Sequence, residues 1–225
     1  MDKVTFFLHI TKTAGGSLKA LFEKSLQDQV VFFNASQEAD MPEIHENVKM
    51  IFGHFTHGIH EKFGLDATYA CVLRNPLNRT ISHYYHLFNN DKSQVGDRIR
   101  SGGANINEYF AENTHWEFSN FMTKILAGTS NQIDKRSESK LFRLALNNLN
   151  NLQYIGIFEY LDLSLLKLQS TFDIHITDVP QVNIGQYKLA EISKETIHRI
   201  LRLNRMDFLL YDIGVERFWK NIYKL

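Results

Sequence analysis

Val4-Thr5-Phe6-Phe7-Leu8-His9-Ile10 runs without a break into Thr11-Lys12-Thr13-Ala14-Gly15-Gly16-Ser17 and then into Leu18-Lys19-Ala20-Leu21-Phe22-Glu23-Lys24. The first seven residues are apolar on both alternating faces, the pattern of a strand buried on both sides of a sheet. The last seven place apolar residues at helical spacing. Between them lies a turn of small residues. A buried strand passing through a glycine turn straight into a helix is the opening of an α/β unit.

Working outward, the same alternation recurs. Val30 to Phe33 and Val48 to Phe52, the latter ending at Gly53, read as short strands. Ala67 to Leu73 reads as a central strand that stops at Arg74-Asn75-Pro76. There Asn75 suits a helix cap and Pro76 suits the first helical turn, so a helix is expected from Pro76 to about Asn89. The second half changes character. Ile106 to Ala111, Glu117 to Ala127, Ser137 to Asn148 and Leu161 to Gln169 read as helices, with one short strand at Tyr154 to Phe158. Glu191 to Leu203 and Met206 to Trp219 close the chain as amphipathic helices. The expected fold class is α/β, with a mainly parallel sheet flanked by helices and a helical C-terminal half.

Composition narrows the function. The 225 residues suffice for one sizeable core, and no Gly/Ser-rich or low-complexity stretch marks a linker, so one domain over 1–225 is expected. The 25 basic and 25 acidic residues cancel, which argues against broad binding to nucleic acid or anionic membranes. The one cysteine, Cys71, lies in the apolar run Ala70-Cys71-Val72-Leu73, which excludes a disulfide framework and suits a buried thiol. The apolar run after Met1-Asp2-Lys3 is too short for a signal segment or a membrane span, so a cytoplasmic protein is expected.

The first turn carries the chemistry. Ligands of open parallel sheets sit beyond the carboxyl ends of strands. Gly15 and Gly16 allow close approach of an anion, and the backbone N–H groups from about Thr13 to Leu18 can cradle it at the helix N-terminus. Thr13 and Ser17 can add hydroxyl donors, and Lys12 a positive charge. The common phosphate-loop order, G-x-x-x-x-G-K-[ST], is absent, because here the lysine precedes the glycines. A second turn supports the first: Arg74 ends the central strand and Ser82 follows about two helical turns later, so both can reach one phosphate. Lys12 and Arg74 are therefore expected at the ends of neighbouring strands, facing one cleft. His54, His57 and His60 recur every third residue, which raises a zinc site as a rival reading. Gly53 and Gly58 disfavour the regular helix that would put them on one face. His83 and His86 read as surface or half-buried helix residues, and Tyr84, Tyr85 and Phe88 as core.

Together these segments resemble the carbohydrate-type sulfotransferases that use 3′-phosphoadenosine 5′-phosphosulfate (PAPS), the group that includes heparan sulfate 2-O-sulfotransferase. The resemblance is carried by His9-Ile10-Thr11-Lys12-Thr13-Ala14-Gly15-Gly16-Ser17, by Gly53-His54-Phe55, and by the run from Arg74-Asn75-Pro76 through Arg79 to Ser82-His83-Tyr84. Later come Asn120-Phe121-Met122-Thr123-Lys124-Ile125-Leu126-Ala127-Gly128, Tyr154-Ile155-Gly156-Ile157-Phe158-Glu159, Val182-Asn183-Ile184 and Asn204-Arg205-Met206-Asp207-Phe208-Leu209-Leu210-Tyr211. The likeness spans nearly the whole chain in the family's order. Thr11 stands where the family has proline, Ala14 where it has glycine, and Lys124 where arginine is usual.

The resemblance implies the sulfotransferase variant of the P-loop nucleoside-triphosphatase-like α/β fold, and PAPS as sulfuryl donor. It implies that Lys12 and the backbone of Thr13, Ala14, Gly15, Gly16, Ser17 and Leu18 hold the 5′-phosphosulfate, and that Arg74 and Ser82 hold the 3′-phosphate. His54 matches the catalytic base and Lys12 would stabilise the leaving bisphosphate. The acceptor would be a hydroxyl compound, by the resemblance a carbohydrate; no metal is expected, since a sulfuryl group carries less negative charge than a phosphoryl group. Two other classes remain open. A nucleoside-triphosphate-dependent kinase would want the common phosphate loop and a carboxylate after a strand. A PAPS-binding module without catalysis would not need both Lys12 and His54.

Overall fold

The computed structural model describes residues 3–35, 42–92, 94–113, 115–129, 137–176 and 189–223. The Val182-Asn183-Ile184 segment lies outside them. Five strands form one parallel sheet: β1 (Val4–Leu8), β2 (Val30–Asn34), β3 (Met50–His54), β4 (Ala67–Leu73) and β5 (Tyr154–Ile157). Their order is β2-β3-β1-β4-β5, with β1 between β3 and β4. Because β3 and β4 flank β1, the loops after these three strands converge on one edge of the sheet. Every residue of β1 is buried, as its two-sided apolar pattern requires.

The pleat sends alternate residues to opposite faces, so β1 feeds two cores. Phe7 packs with Leu18, Leu21 and Phe22 of α1 (Gly15–Leu26) and with Leu165 and Leu168 of α8 (Leu161–Phe172). Phe6 and Leu8 belong to the other face, covered by α6 (Phe121–Leu126), α7 (Glu138–Asn150) and α10 (Arg205–Ile222). A one-turn helix, α2 (His60–Phe63), lies between β3 and β4. A third core joins α3 (Pro76–Asn89), α4 (Gln94–Ser101), α5 (Ile106–Glu112) and α9 (Lys194–Leu203) around Tyr84, Phe110 and Phe118. Tyr84 is thus core, and Cys71 is buried, its thiol pushed up to about 12 by burial.

Two departures from the expected elements have local causes. The helix expected over Glu117 to Ala127 is broken: a 3-10 turn covers Trp116–Phe118, and α6 starts only at Phe121. Asn120 between them takes the left-handed conformation, φ 46°, and its side chain serves another helix. The other is α4, which the sequence pattern does not announce. It offers only Val95 and Ile99 among charged residues and Gly96, and Arg100 anchors it by donating to the carbonyls of Leu87, Phe88 and Asp91.

The late motifs of the chain close on one another. Asn120 Oδ1 accepts the N–H groups of Met206 and Asp207, and Asn204 Oδ1 accepts that of Asn120. Asp207, fully buried, accepts from Met122 N at 3.0 Å and from both the N–H and the hydroxyl of Thr123 at 2.7 Å. Each side chain satisfies backbone donors at the start of the other helix, which a helix N-terminus otherwise leaves without intrahelical partners. This clasp fixes α6 against α10.

Candidate active site

The first turn is shaped by a close approach. A Cβ on Gly15 would fall 1.5 Å from His9 Nε2, so only glycine lets the His9 ring lie against the start of α1. Lys12 and Ala14 both take left-handed conformations, φ 69° and 67°, to turn β1 into the helix. The Thr13 hydroxyl is buried and donates to Ile10 O at 2.7 Å, and the Leu18 N–H donates to Ala14 O. Of the expected cradle, Thr13 thus braces the turn from inside and Leu18 packs in the core, while Lys12, Ala14, Gly15, Gly16 and Ser17 line a cavity of about 700 Å³. That cavity sits at the N-terminus of a twelve-residue helix, where backbone N–H groups and the helix dipole favour an anion.

The second turn meets the first there. Asn75 Oδ1 caps α3 by accepting from Leu77 N and Asn78 N, at 3.1 and 3.2 Å. Arg74 Nη1 donates to Lys12 O at 2.9 Å, and its guanidinium lies 4.2 Å from the centre of the Phe158 ring. The neighbouring Glu159 accepts from Asn75 N and from the Tyr211 hydroxyl, both at 2.9 Å, tying the end of β5 to β4 and α10. Lys12, Arg74 and Ser82 all line the 700 Å³ cavity, so the residues expected to share one cleft do share it. Burial and the nearby Arg74 hold the Lys12 ammonium below its usual range. Among the described residues, no carboxylate lines this cavity.

His54 ends β3, two strands from Arg74. Gly53 before it is required by the sheet: a Cβ there would fall 1.6 Å from Phe33 O. His54 Nδ1 lies 2.9 Å from His9 O. A carbonyl only accepts, so Nδ1 carries the proton and Nε2 is left with its lone pair. Burial holds the His54 imidazole below its usual value, while the His9 carbonyl and the Glu117 charge pull the other way. His9 stacks on His54 with ring centres 4.2 Å apart; burial, His54 and Lys12 hold it down near 3. Both rings are therefore neutral at neutral pH.

A second cavity, of about 850 Å³, opens on the other side of these rings. His9, Thr11 and His54 line both cavities. Phe55, Trp116, Phe121, Ile59 and Ile125 provide its apolar wall, with Glu117 beside them. Behind the junction Arg79 is fully buried, donating from Nη1 to Thr11 Oγ1 at 3.2 Å and from Nη2 to Glu117 O, with its charge 4.9 Å from the Phe121 ring centre. Burial brings Arg79 down to about 10, opposed by Asp207 and Glu117. His83, buried on α3, hydrogen-bonds through Nε2 to Glu117 Oε2. Burial pushes the Glu117 carboxyl up, but His83, His115 and Arg79 outweigh it and hold the group below the usual range.

The remaining expected residues disperse. His57 stacks on Tyr69 at 4.1 Å, and His60 Nδ1 lies 2.8 Å from the same tyrosine's hydroxyl. Among the described residues no group of three or more His, Cys, Asp or Glu side chains gathers as a metal ion would need. Lys124 donates to Trp116 O at 3.1 Å. His83 is fully buried, contrary to its surface or half-buried reading, because Glu117 supplies a partner that the sequence places 34 residues away. The sequence assigns no role to His9, Thr11, Arg79 or Glu117; His9, Thr11 and Arg79 lie within the family-like runs quoted above, whereas Glu117 lies in none of them.

The chain brings together a parallel sheet, a glycine turn at a helix N-terminus without the common phosphate-loop order, and a histidine where two cavities meet. The family model described as Sulfotransferase family matches residues 2–213, and the chain belongs to that family. No curated protein matches the chain. Among solved structures it is similar to the crystal structure of mouse sulfotransferase SULT7A1 complexed with PAP, at 11% identity and a TM-score of 0.41. The match covers 78% of this chain and 61% of that one, so the chain spans about three fifths of its neighbour's length. Among the described residues no helix is long and apolar enough to cross a membrane.

Proposed function

We propose that the chain is a PAPS-dependent O-sulfotransferase, moving a sulfuryl group to an acceptor hydroxyl by in-line displacement. One observation carries this reading: the cavity lined by Lys12, Arg74 and Ser82 and the cavity lined by Trp116 and Glu117 meet at His54. The donor fits the first cavity chemically. It offers two cations and a glycine turn at a helix N-terminus, and no carboxylate is among its described lining residues, which suits an anionic nucleotide.

On this reading the backbone of Gly15, Gly16 and Ser17 holds the 5′-phosphosulfate, and Arg74 and Ser82 hold the 3′-phosphate. Thr13 and Leu18 hold the turn in shape. His54 Nε2 takes the proton of the acceptor hydroxyl as its oxygen bonds to sulfur. The S–O bond to the 5′-phosphate breaks, and Lys12 stabilises the charge that develops on the leaving 3′,5′-bisphosphate. The acceptor is a hydroxyl compound and, by family resemblance, a carbohydrate. We read the protein as cytoplasmic, in keeping with its lone, buried cysteine. Calorimetric titration with 3′-phosphoadenosine 5′-phosphate (PAP) and with ATP tests the donor site. PAP is expected to bind without magnesium and at least tenfold more tightly; preference for ATP with magnesium would overturn the reading.

A further inference from the structure

The wall of the acceptor-side cavity says more about the acceptor than the family does. Its charged lining residues are Glu61, Lys62 and Glu117. Glu61 and Lys62 are exposed neighbours on α2, one of each sign. Among the described residues, the charge that remains inside is Glu117, kept ionised by His83, His115 and Arg79. The histidines add no positive charge, since burial holds His57 down to about 4 and His54 below its usual value. Arg79, the nearest buried cation, has its guanidinium turned to Thr11 Oγ1 and the Glu117 carbonyl and is not part of the lining.

Among the described residues, a sulfate or carboxylate on the acceptor would therefore meet the Glu117 charge in a partly desolvated space, and the one lysine or arginine of the lining, Lys62, stands exposed on α2. Such an unpaired buried anion is costly. A carboxylate is, however, a good partner for hydroxyl groups, because it can only accept and the hydroxyl donates. Trp116 is half-buried and packs 5.3 Å from Phe121, offering a flat apolar surface beside that acceptor. Thr56 and His57 add polar groups to the same lining. The volume, about 850 Å³, is that of a small-molecule site.

We propose that the acceptor is an uncharged sugar, whose ring face lies on Trp116 and Phe121 and whose hydroxyls donate to Glu117. The proposal rests on the donor reading above. The test is transfer from PAPS to methyl glycosides of neutral hexoses and to the matching methyl uronates, alongside PAP binding by calorimetry. Neutral glycosides are expected to show kcat/KM at least tenfold above their uronates. Glu117→Gln is expected to narrow that ratio severalfold by improving the uronates. Trp116→Ala is expected to raise KM for the neutral acceptor about tenfold with PAP affinity unchanged. Trp116→Phe, which keeps the packing with Phe121, is expected to raise KM less. Uronates used as well as or better than neutral glycosides, or no glycoside of either kind used while PAP binds, would overturn the proposal alone. A wild-type protein that fails to bind PAP would overturn the donor reading and this inference with it.

Discussion

The two cavities that meet at His54 are built by different means. The donor-side cavity is made of backbone and cations: the Lys12 to Ser17 turn, a helix N-terminus, and Arg74 laid across the Lys12 carbonyl. Most of it comes from residues 9–20 and 74–87, each stretch being the loop after a strand together with part of the helix that follows. The acceptor-side cavity is lined by side chains from β2, β3, α2, the Trp116–Phe118 turn and α6, and among the described residues its inner charge is an anion, Glu117. A site for a fixed anionic nucleotide can be written in contiguous sequence, because a helix N-terminus supplies its donors automatically. A site for a variable acceptor draws on residues that only the fold brings together. Changes on the two sides should therefore separate: donor-side changes should alter nucleotide affinity, and changes at the junction should alter turnover.

The largest effect is expected at the junction itself. His54→Ala should lower kcat by roughly 10²–10⁴-fold, the usual contribution of a positioned proton acceptor. PAP affinity should hold within about threefold, because His54 is expected to contact the acceptor rather than the nucleotide. Near-normal turnover would remove His54 from the mechanism. Lost PAP affinity with a native circular dichroism spectrum would show that the two sides are not separable there.

Next comes the donor side. Arg74→Ala should weaken PAPS binding by about 2–3 kcal/mol, since it removes a charge-assisted contact to a dianionic phosphate. Arg74 also braces the Lys12 carbonyl, so some loss could come through the turn. Adenosine 5′-phosphosulfate, which lacks the 3′-phosphate, separates the two. It should bind the wild type poorly and lose little more on mutation. Equal losses for both nucleotides would make Arg74 a brace for the turn and not a reader of the 3′-phosphate.

How legible these regions were follows the same division. β4 and α3 have the boundaries expected of them, because Asn75 and Pro76 write a helix start into two consecutive residues. Lys12, Gly15, Gly16 and Arg74 are readable for a similar reason: each sits in the loop after a strand or at the start of the helix that follows it, and its position follows from that strand. Glu117 was not. It fell in a segment that looks helical throughout, and the left-handed turn at Asn120 depends on bonds to Met206 and Asp207 some 86 residues away. The Asn120 and Asp207 motifs could be matched to the family, but their use as mutual helix caps becomes visible only when α6 and α10 are packed.

The pH dependence links the two sides. On the proposed mechanism His54 must be neutral to act as the base, so kcat/KM should fall as pH drops through its pKa. Burial lowers that pKa, which puts the acid limb below the ordinary histidine value of about 6.5. Glu117 favours the protonated ring, so Glu117→Gln should move the limb to still lower pH; an upward shift would mean that Glu117 does not act on His54 by charge. Stability must be followed in parallel. Burial holds His57 and His83 near 4 in the folded chain, whereas unfolded histidines take up protons near 6.5. The unfolded state then binds more protons between those values, and stability should fall as pH drops from about 6.5 toward 4.

The smallest effect concerns Ala14, where the chain carries a side chain in a backbone region that favours glycine. Its φ of 67° places the Cβ in the left-handed region, at a cost of roughly 1–2 kcal/mol for a residue other than glycine. Ala14→Gly relieves that strain but gives the unfolded chain more freedom, so the net gain should be about 0.5–1 kcal/mol. For a chain of this size the gain corresponds to a rise in Tm of about 1–4 °C. PAP affinity should change less than threefold, since the N–H groups of the turn keep their positions whichever residue stands there. If Ala14→Gly instead lowers Tm, the methyl group contributes packing that outweighs the strain. If it leaves Tm alone but weakens PAP by tenfold or more, the alanine pre-forms the turn for the nucleotide. The donor side would then depend on side chains as much as the acceptor side does, and the contrast between the two cavities would fail at its most backbone-driven point.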